Sequence, residues 1–591
     1  MIRAFRYLTL LIVPLLLACQ KEDVESTVDT RPFPMDQNKD HTVAPGDDFF
    51  QYCNGIWLDS HPVGSETVGG MYDGSAPMNE RVEALKAEDP ELGAFFALMD
   101  QMYDHPEEST AWLQAQIDAI PKPASQEEAF RALGNSLKEG CENILCYEPF
   151  YKAGKVYGYI RIASGANLPS GNYAADLVLA SETASGRSGV LSYILEGLGV
   201  QPDQVYVSET LPGILEQLRN QSLDQLYDVI KQTWQSYEAY ITPPSTPLYP
   251  RALMSYRLSY DLAKKYVPES VKLHFREIVI NVRDSFRERL LKLDWMSETT
   301  RGNALEKLDE MKLFVGYPDA WYTDYMPPVQ DCKTFVEAAH RLSKANIQLM
   351  IKLLGSDDAF TCRLFRVSYM GGTSFLSHDL SLVNATYDYI ENDIVIYPAF
   401  MLPPIWKEDV TEAWQYALTA VIGHEITHGF DSSGANYDEF GNKRNWWTVA
   451  DKMAFEDEKA KLVRCYSSLE MDPYRHPGIY ENGTRTLSEN IADLGGFLTA
   501  LDAYQKYLKE NGYSGESFRQ QLRKFYESWA DIWCVQYSEE KFQNLVEADM
   551  HSHARLRVNG VAMNTDLWYD LYIVDRNNLL YLPEAARTYI W

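Results

Sequence analysis

Apolar positions recur at three- and four-residue spacing through most of the chain, a periodicity that predicts a mainly helical protein. Between Pro45 and about Asp331 it marks Glu80–Lys86, Pro212–Thr233, Arg251–Leu293 and Thr299–Phe314 as helices. The last follows Asp294-Trp295-Met296-Ser297, where Ser297 or Thr299 suits the cap and acids enter the first turn. Gly316-Tyr317-Pro318-Asp319 supplies the stop. Another helix is predicted over 333–353. Strand signal is sparse, with Val156–Ile162 one alternating run. From about Leu382 the pattern changes. Val383–Tyr387 and Asp393–Tyr397 read as two strands about a turn, and Pro398, Pro403 and Pro404 then interrupt the chain. Long helices are predicted over Thr411–Phe430 and Thr448–Glu470. There is no internal repeat and no extended low-complexity tract.

At 591 residues the chain exceeds the usual size of one domain. Hydrophobic residues make up 46%, enough for a sizeable core. The beginning stands apart. Arg3 and Arg6 precede an apolar run, Leu8 to Leu17, short for a bilayer span. It reads as the core of a signal peptide. The run ends in Leu16-Leu17-Ala18-Cys19, which resembles a bacterial lipobox, so Cys19 is the expected lipidation site. Gln20-Lys21-Glu22-Asp23 resembles an export cue toward the outer cell surface. The polar stretch that follows reads as a tether. Four segments are expected: 1–19 signal peptide with lipobox, 20–44 flexible tether, 45–375 a mainly helical N-terminal domain, and 376–591 a C-terminal domain. The protein is expected in the bacterial cell envelope as an outer-membrane lipoprotein, facing the periplasm or the cell surface.

Net charge is −30 with a pI near 4.8. Nucleic acid is excluded as a partner, because phosphate recognition needs a basic face. The acid excess favours solubility and draws basic peptides. With Cys19 lipidated, seven of the eight cysteines remain, so at least one has no internal partner. No Cys-x-x-Cys occurs, and no thiolate metal site is suggested.

The chemistry gathers in Val421-Ile422-Gly423-His424-Glu425-Ile426-Thr427-His428-Gly429-Phe430-Asp431. Histidines four apart lie on one helix face, so His424 and His428 can reach a single metal ion. Glu425 sits near that face and suits a base acting on water. Catalytic zinc requires a third protein ligand and an open position. Glu489 and Asp493, in Ser488-Glu489-Asn490-Ile491-Ala492-Asp493, are also four apart. One of these carboxylates can bind the metal while the other accepts the free N–H of a ligand histidine.

His424–Asp431 together with Glu489–Asp493 resembles the neprilysin/endothelin-converting-enzyme family of zinc endopeptidases. The resemblance implies that Glu489 is the third ligand and that Asp493 supports the first histidine. Val383-Asn384-Ala385-x-Tyr387 is similar to the family's substrate-binding edge strand, which implies that Asn384 and Ala385 hydrogen-bond the peptide. His551 and Arg557 match a family pair: the histidine stabilises the oxyanion and the arginine contacts a substrate carbonyl. Trp533 and Val421 fall where the family lines the pocket for the residue after the scissile bond. The opening around Pro45–Trp57 and the close around Tyr581–Trp591 also fit. There are departures. Ala417-Leu418-Thr419-Ala420 stands where relatives often carry glycines, and Thr386 replaces an aromatic. Residues 163–210 align poorly, and no cysteine lies near the C-terminus, so the disulfide framework of animal members is not implied.

The fold the resemblance implies is mainly α and two-lobed. A thermolysin-like catalytic lobe with a small β-sheet faces a larger helical lid lobe, and the two enclose a chamber for short peptides. The implied cofactor is one Zn2+ per chain. The implied reaction is hydrolysis of oligopeptides, before hydrophobic residues, by a monomer held to the membrane through its lipid. The alternative is a catalytically silent peptide-binding surface lipoprotein of the same fold.

Overall fold

The computed structural model describes residues 34–141, 145–162, 177–241, 253–365, 368–370, 373–375, 380–406 and 411–591. Cys19, the lipobox and the first part of the expected tether lie outside them, as do residues 163–176 of the poorly aligned region. The chain is mainly helical, with 61% helix and 8% strand, and two-lobed. Among the described residues no helix is long and apolar enough to cross a membrane.

Most elements follow the sequence pattern, and the exceptions have local causes. The expected helix over Arg251–Leu293 is two helices, Ser255–Tyr266 and Glu269–Lys292, because Pro268 restarts the chain. Pro212–Thr233 also divides, into Leu211–Leu218 and Leu223–Trp234, where Ser222 and Gln225 form a reciprocal cap. Ser297 caps the next helix as expected, accepting from Thr300 N–H. That helix ends at Glu310, however, and Lys312–Val315 is a strand. It pairs in parallel with Asp393–Ile396, a partner that no local pattern reveals.

Asp393–Ile396 is fully buried at the centre of a three-stranded sheet. Its other neighbour, antiparallel, is Ala385–Asp388, an edge strand. A separate four-stranded sheet joins Leu145–Lys152, Lys155–Ile162, Val205–Ser208 and Leu177–Leu179. It packs under helices Gln126–Lys138 and Val190–Leu198 with its own apolar core.

The cores do not divide at residue 376. Phe49, Phe50, Phe95, Phe275 and Phe286 share one continuous core with Ile422, Phe497, Trp529 and Trp568. The expected lid segment 45–375 therefore gives helices to both lobes, with a second core formed by residues such as Leu133, Ile160, Ile194 and Leu349. The contribution from the chain's early part is also polar. Arg555 pairs with buried Asp48, and Asn559 bonds both Asp48 and Phe50 N–H. The tether expected up to residue 44 is corrected in its later part. Met35 is buried, and Lys39 donates to Glu527 at 3.0 Å, which fixes residues 34–44 to helix Gly515–Ile532.

Helix Glu412–His428 lies at the middle of the larger core, with every residue from Ala413 to Thr427 buried. It is apolar on all sides, as a central helix must be. Helix Leu487–Glu510 crosses it at backbone contact. A Cβ on Gly423 would lie 2.8 Å from Gly496 Cα, and one on Gly496 would lie 2.3 Å from His424 N. Glycine at both positions lets His424 approach the carboxylates of the second helix.

Candidate metal centre

The crossing helices bring together the side chains singled out in the sequence. His424 Nε2 and His428 Nε2 stand 2.9 Å apart. Glu489 Oε2 lies 3.2 Å from the first and 3.5 Å from the second. These three residues form the one group among the described residues arranged to hold a metal ion. Zinc–nitrogen bonds of about 2.0–2.1 Å at tetrahedral angles separate ligand atoms by about 3.3 Å, so the spacing suits zinc.

The hydrogen bonds around the triad sharpen that fit. His424 Nδ1 faces Asp493 Oδ1 at 2.8 Å, and His428 Nδ1 faces Asp431 Oδ2 at 2.7 Å. A carboxylate holds a proton on each Nδ1, so both Nε2 atoms present lone pairs to one another. Glu489 Oε2, buried, has no hydrogen-bond partner. Two lone pairs and a buried carboxylate oxygen converging on one point call for a cation.

The same groups are tightly coupled electrostatically. Burial pushes the Glu489 carboxyl up, but His428, His424 and His551 outweigh it and hold it well below the usual carboxylate range. Burial and His428 depress His424, yet Asp493 and Glu489 carry it above its ordinary value. His428 is likewise drawn well up against burial, by Glu489 and Asp431. Asp493 stays low, since Arg557 and His424 overcome its burial. Glu425 is different: burial raises its carboxyl, with the two histidines only partly opposing.

The remaining predicted residues surround this point. The backbone of Tyr387, on the edge strand, hydrogen-bonds Glu425. Ala385 begins that strand, and exposed Asn384 precedes it with Oδ1 accepting from Ala385 N–H at 3.0 Å. His551 Nε2 is 3.3 Å from Glu489 Oε2, with its side chain half exposed, and its Nδ1 faces Asp549 at 2.9 Å. Arg557 is buried, and its guanidinium engages Asp493 and lies 3.6 Å from the Trp533 ring centroid. Val421 sits one turn before His424 on the central helix. Two supporting residues had no role in the sequence reading. Asp431 was visible at i+3 from His428. Asp549 stands two before His551 and also binds Lys541 at 2.7 Å.

Residues 384–588 and, separately, 249–318 match the patterns of Peptidase family M13, and the first match contains every one of these side chains. These two segments are similar to peptidase family M13. The chain is 30% identical over 330 residues to a neutral endopeptidase of Lactococcus lactis, covering 56% of this chain and 48% of that one. It is 29% identical over 325 residues to mouse neprilysin, covering 53% and 41%. It thus spans about half the length of these relatives or less. In fold it resembles the Mycobacterium tuberculosis zinc metalloprotease Zmp1 in its open state, with a TM-score of 0.68 at 22% identity over 93% of this chain and 100% of that one. PepO from Lactobacillus rhamnosis HN001 gives 0.57 at 19% identity over 92% and 99%.

Proposed function

We propose that this chain is a zinc endopeptidase that cleaves short peptides, before hydrophobic residues, with one zinc per chain held by His424, His428 and Glu489. The observation that carries this reading is the convergence of two imidazole lone pairs and the unpartnered Glu489 Oε2 beside a buried, raised Glu425. Zinc, when bound, supplies Lewis acidity toward a carbonyl oxygen and toward water. Glu425 takes a proton from the attacking water and returns it to the leaving amine. Its raised carboxyl brings its basicity closer to that task. His551, oriented by Asp549, donates from Nε2 in its imidazolium form to the oxygen on which negative charge develops. The edge strand, through Asn384 and Ala385, pairs with the substrate backbone as an added strand. Arg557 contacts a substrate carbonyl while fixing Asp493. Val421 and Trp533 shape the pocket for the residue after the cut. The same reading places the chain as a monomer in the bacterial cell envelope, anchored by lipid on Cys19.

The test is zinc content and cleavage of a quenched hydrophobic peptide, with and without chelator, on protein lacking residues 1–19. About one zinc per chain with chelator-sensitive internal cleavage is the expected result. Zinc without cleavage of any peptide would favour the silent peptide-binding lipoprotein. Absence of zinc would overturn the metal centre.

A further inference from the structure

The two most exposed large aliphatic side chains among the described residues lie on one short loop: Ile573 at 87% and Leu579 at 82%. Ile573 follows helix Asp566–Tyr572 in the left-handed region, with φ 55° and ψ 49°. Glycine is the usual residue there, and a β-branched side chain is strained. The turn closes the helix, with Ile573 and Val574 N–H both donating to Tyr569 O, yet the Ile573 side chain itself is left in solvent. Two large aliphatic groups displayed together on one loop suit a partner outside the chain.

Its position identifies the partner. Tyr572, the preceding residue, donates to Glu527 Oε1 at 3.3 Å, while Lys39 binds Oε2 of the same carboxylate at 3.0 Å. Leu580 N–H donates to Gly46 O at 2.9 Å, and the Asn578 side-chain Nδ2 and Leu579 N–H both donate to Asp47 Oδ1. The loop is thus laced to residues 39–47. Tyr52 meets the Tyr572 ring at 6.4 Å, and Ile56, one turn along from Tyr52, is 52% exposed. Cys19 precedes Pro34 by fifteen positions. Fifteen residues reach about 50 Å at full extension and about 20 Å as a flexible coil. A lipid on Cys19 therefore keeps Pro34, and the 39–47 segment that follows it, within that distance of the bilayer. With a net charge of −30, the protein gains nothing from an anionic surface through its overall charge, so contact must come from apolar side chains.

We propose that the Ile573–Leu579 loop rests on the bilayer that holds the Cys19 lipid, with both aliphatic side chains inserted at the headgroup boundary and Tyr52 and Ile56 behind them. This rests on the lipid-anchor reading above. It gives the tethered enzyme one preferred orientation.

The test uses full-length acylated protein on phosphatidylethanolamine–phosphatidylglycerol vesicles, with an environment-sensitive fluorophore at Ile573→Cys, at Leu579→Cys or at the exposed control Asp118→Cys. Blue-shifted emission and protection from iodide at 573 and 579, but not at 118, are expected. Iodide access at 573 equal to that at 118 on acylated protein would overturn the proposal and leave the anchor standing. A mature N-terminus without acyl chains, by mass spectrometry, would overturn the anchor and this proposal with it. In unacylated protein lacking residues 1–19, adding Ile573→Gly and Leu579→Ser is expected to lower vesicle partition roughly tenfold or more. Ile573→Gly alone should leave the melting temperature unchanged or raised, as relief of a strained position requires. A clear fall would mean that Ile573 serves the fold and would also overturn the proposal.

Discussion

Arg557 holds Asp493 through two parallel hydrogen bonds, Nε to Oδ2 at 2.6 Å and Nη2 to Oδ1 at 2.5 Å. Asp493 in turn orients His424. The guanidinium is therefore one step removed from the metal, and it keeps a buried carboxylate ionised where that carboxylate fixes a ligand's tautomer. Removing it should strike stability and metal affinity together. Arg557→Met is expected to destabilise the protein by about 3–5 kcal/mol, since it strands a buried charge. Zinc affinity should fall roughly 10–100-fold. Denaturant unfolding and competitive zinc titration would measure the two effects.

Glu425→Gln keeps the shape of the site and removes the base. Zinc content should equal that of the parent protein, with kcat lowered by roughly 10²–10⁴-fold or more. Near-parental turnover at equal zinc would remove Glu425 from its proposed role.

The crossing of the two central helices offers a steric test. Gly496→Ala places a methyl 2.3 Å from both Ala420 O and His424 N, and neither backbone atom can yield without moving the helix. A loss of about 1–3 kcal/mol is expected from overpacking. Zinc stoichiometry should drop as His424 moves from Glu489. Gly302→Ala, in open space within helix Glu298–Glu310, is the matched control and should leave zinc stoichiometry unchanged and stability unchanged or raised by up to about 1 kcal/mol.

A pH effect is expected far from the metal. Asp261 and Asp89 lie beside Arg257, which binds Asp89 at 2.7 Å. Burial, with the nearby Asp89 carboxylate, pushes Asp261 up to about 7 from 3.8. The folded protein thus binds a proton that the unfolded chain has released, so this group's contribution is full below about pH 4 and is lost as pH rises toward 7. Asp89, held low against its burial by Arg257 and Asp261, contributes in the opposite sense, above its unfolded value. Asp261→Asn imitates the protonated acid and should gain about 1–3 kcal/mol on the parent protein between pH 5 and pH 8. Urea unfolding at the two pH values gives the difference directly.

The metal centre was legible because its parts obey helical spacing. His424 and His428, like Glu489 and Asp493, are four apart, and each pair lies on a single helix face. The support around it was less legible. Arg557 meets Asp493 across 64 positions, and Tyr387 reaches Glu425 from a strand whose edge only the sheet defines. The strand at Lys312–Val315 read as the end of a helix, because its four residues carry no alternation and its pairing with Asp393–Ile396 is remote. The division of the cores was hidden for the same reason. Phe49 and Phe50 look like any apolar pair at the start of a helix, and only tertiary packing assigns them to the lobe that contains His424.

The pairing of Asp48 with Arg555 spans 507 positions. A chain made from its N-terminus must hold that aspartate, and the phenylalanines beside it, in waiting until nearly all the rest has emerged. Loop closure over such a distance is slow, and surface meant for burial stays open meanwhile. The histidine–carboxylate centre therefore comes together late in biogenesis, once the distant halves of the core around it have met.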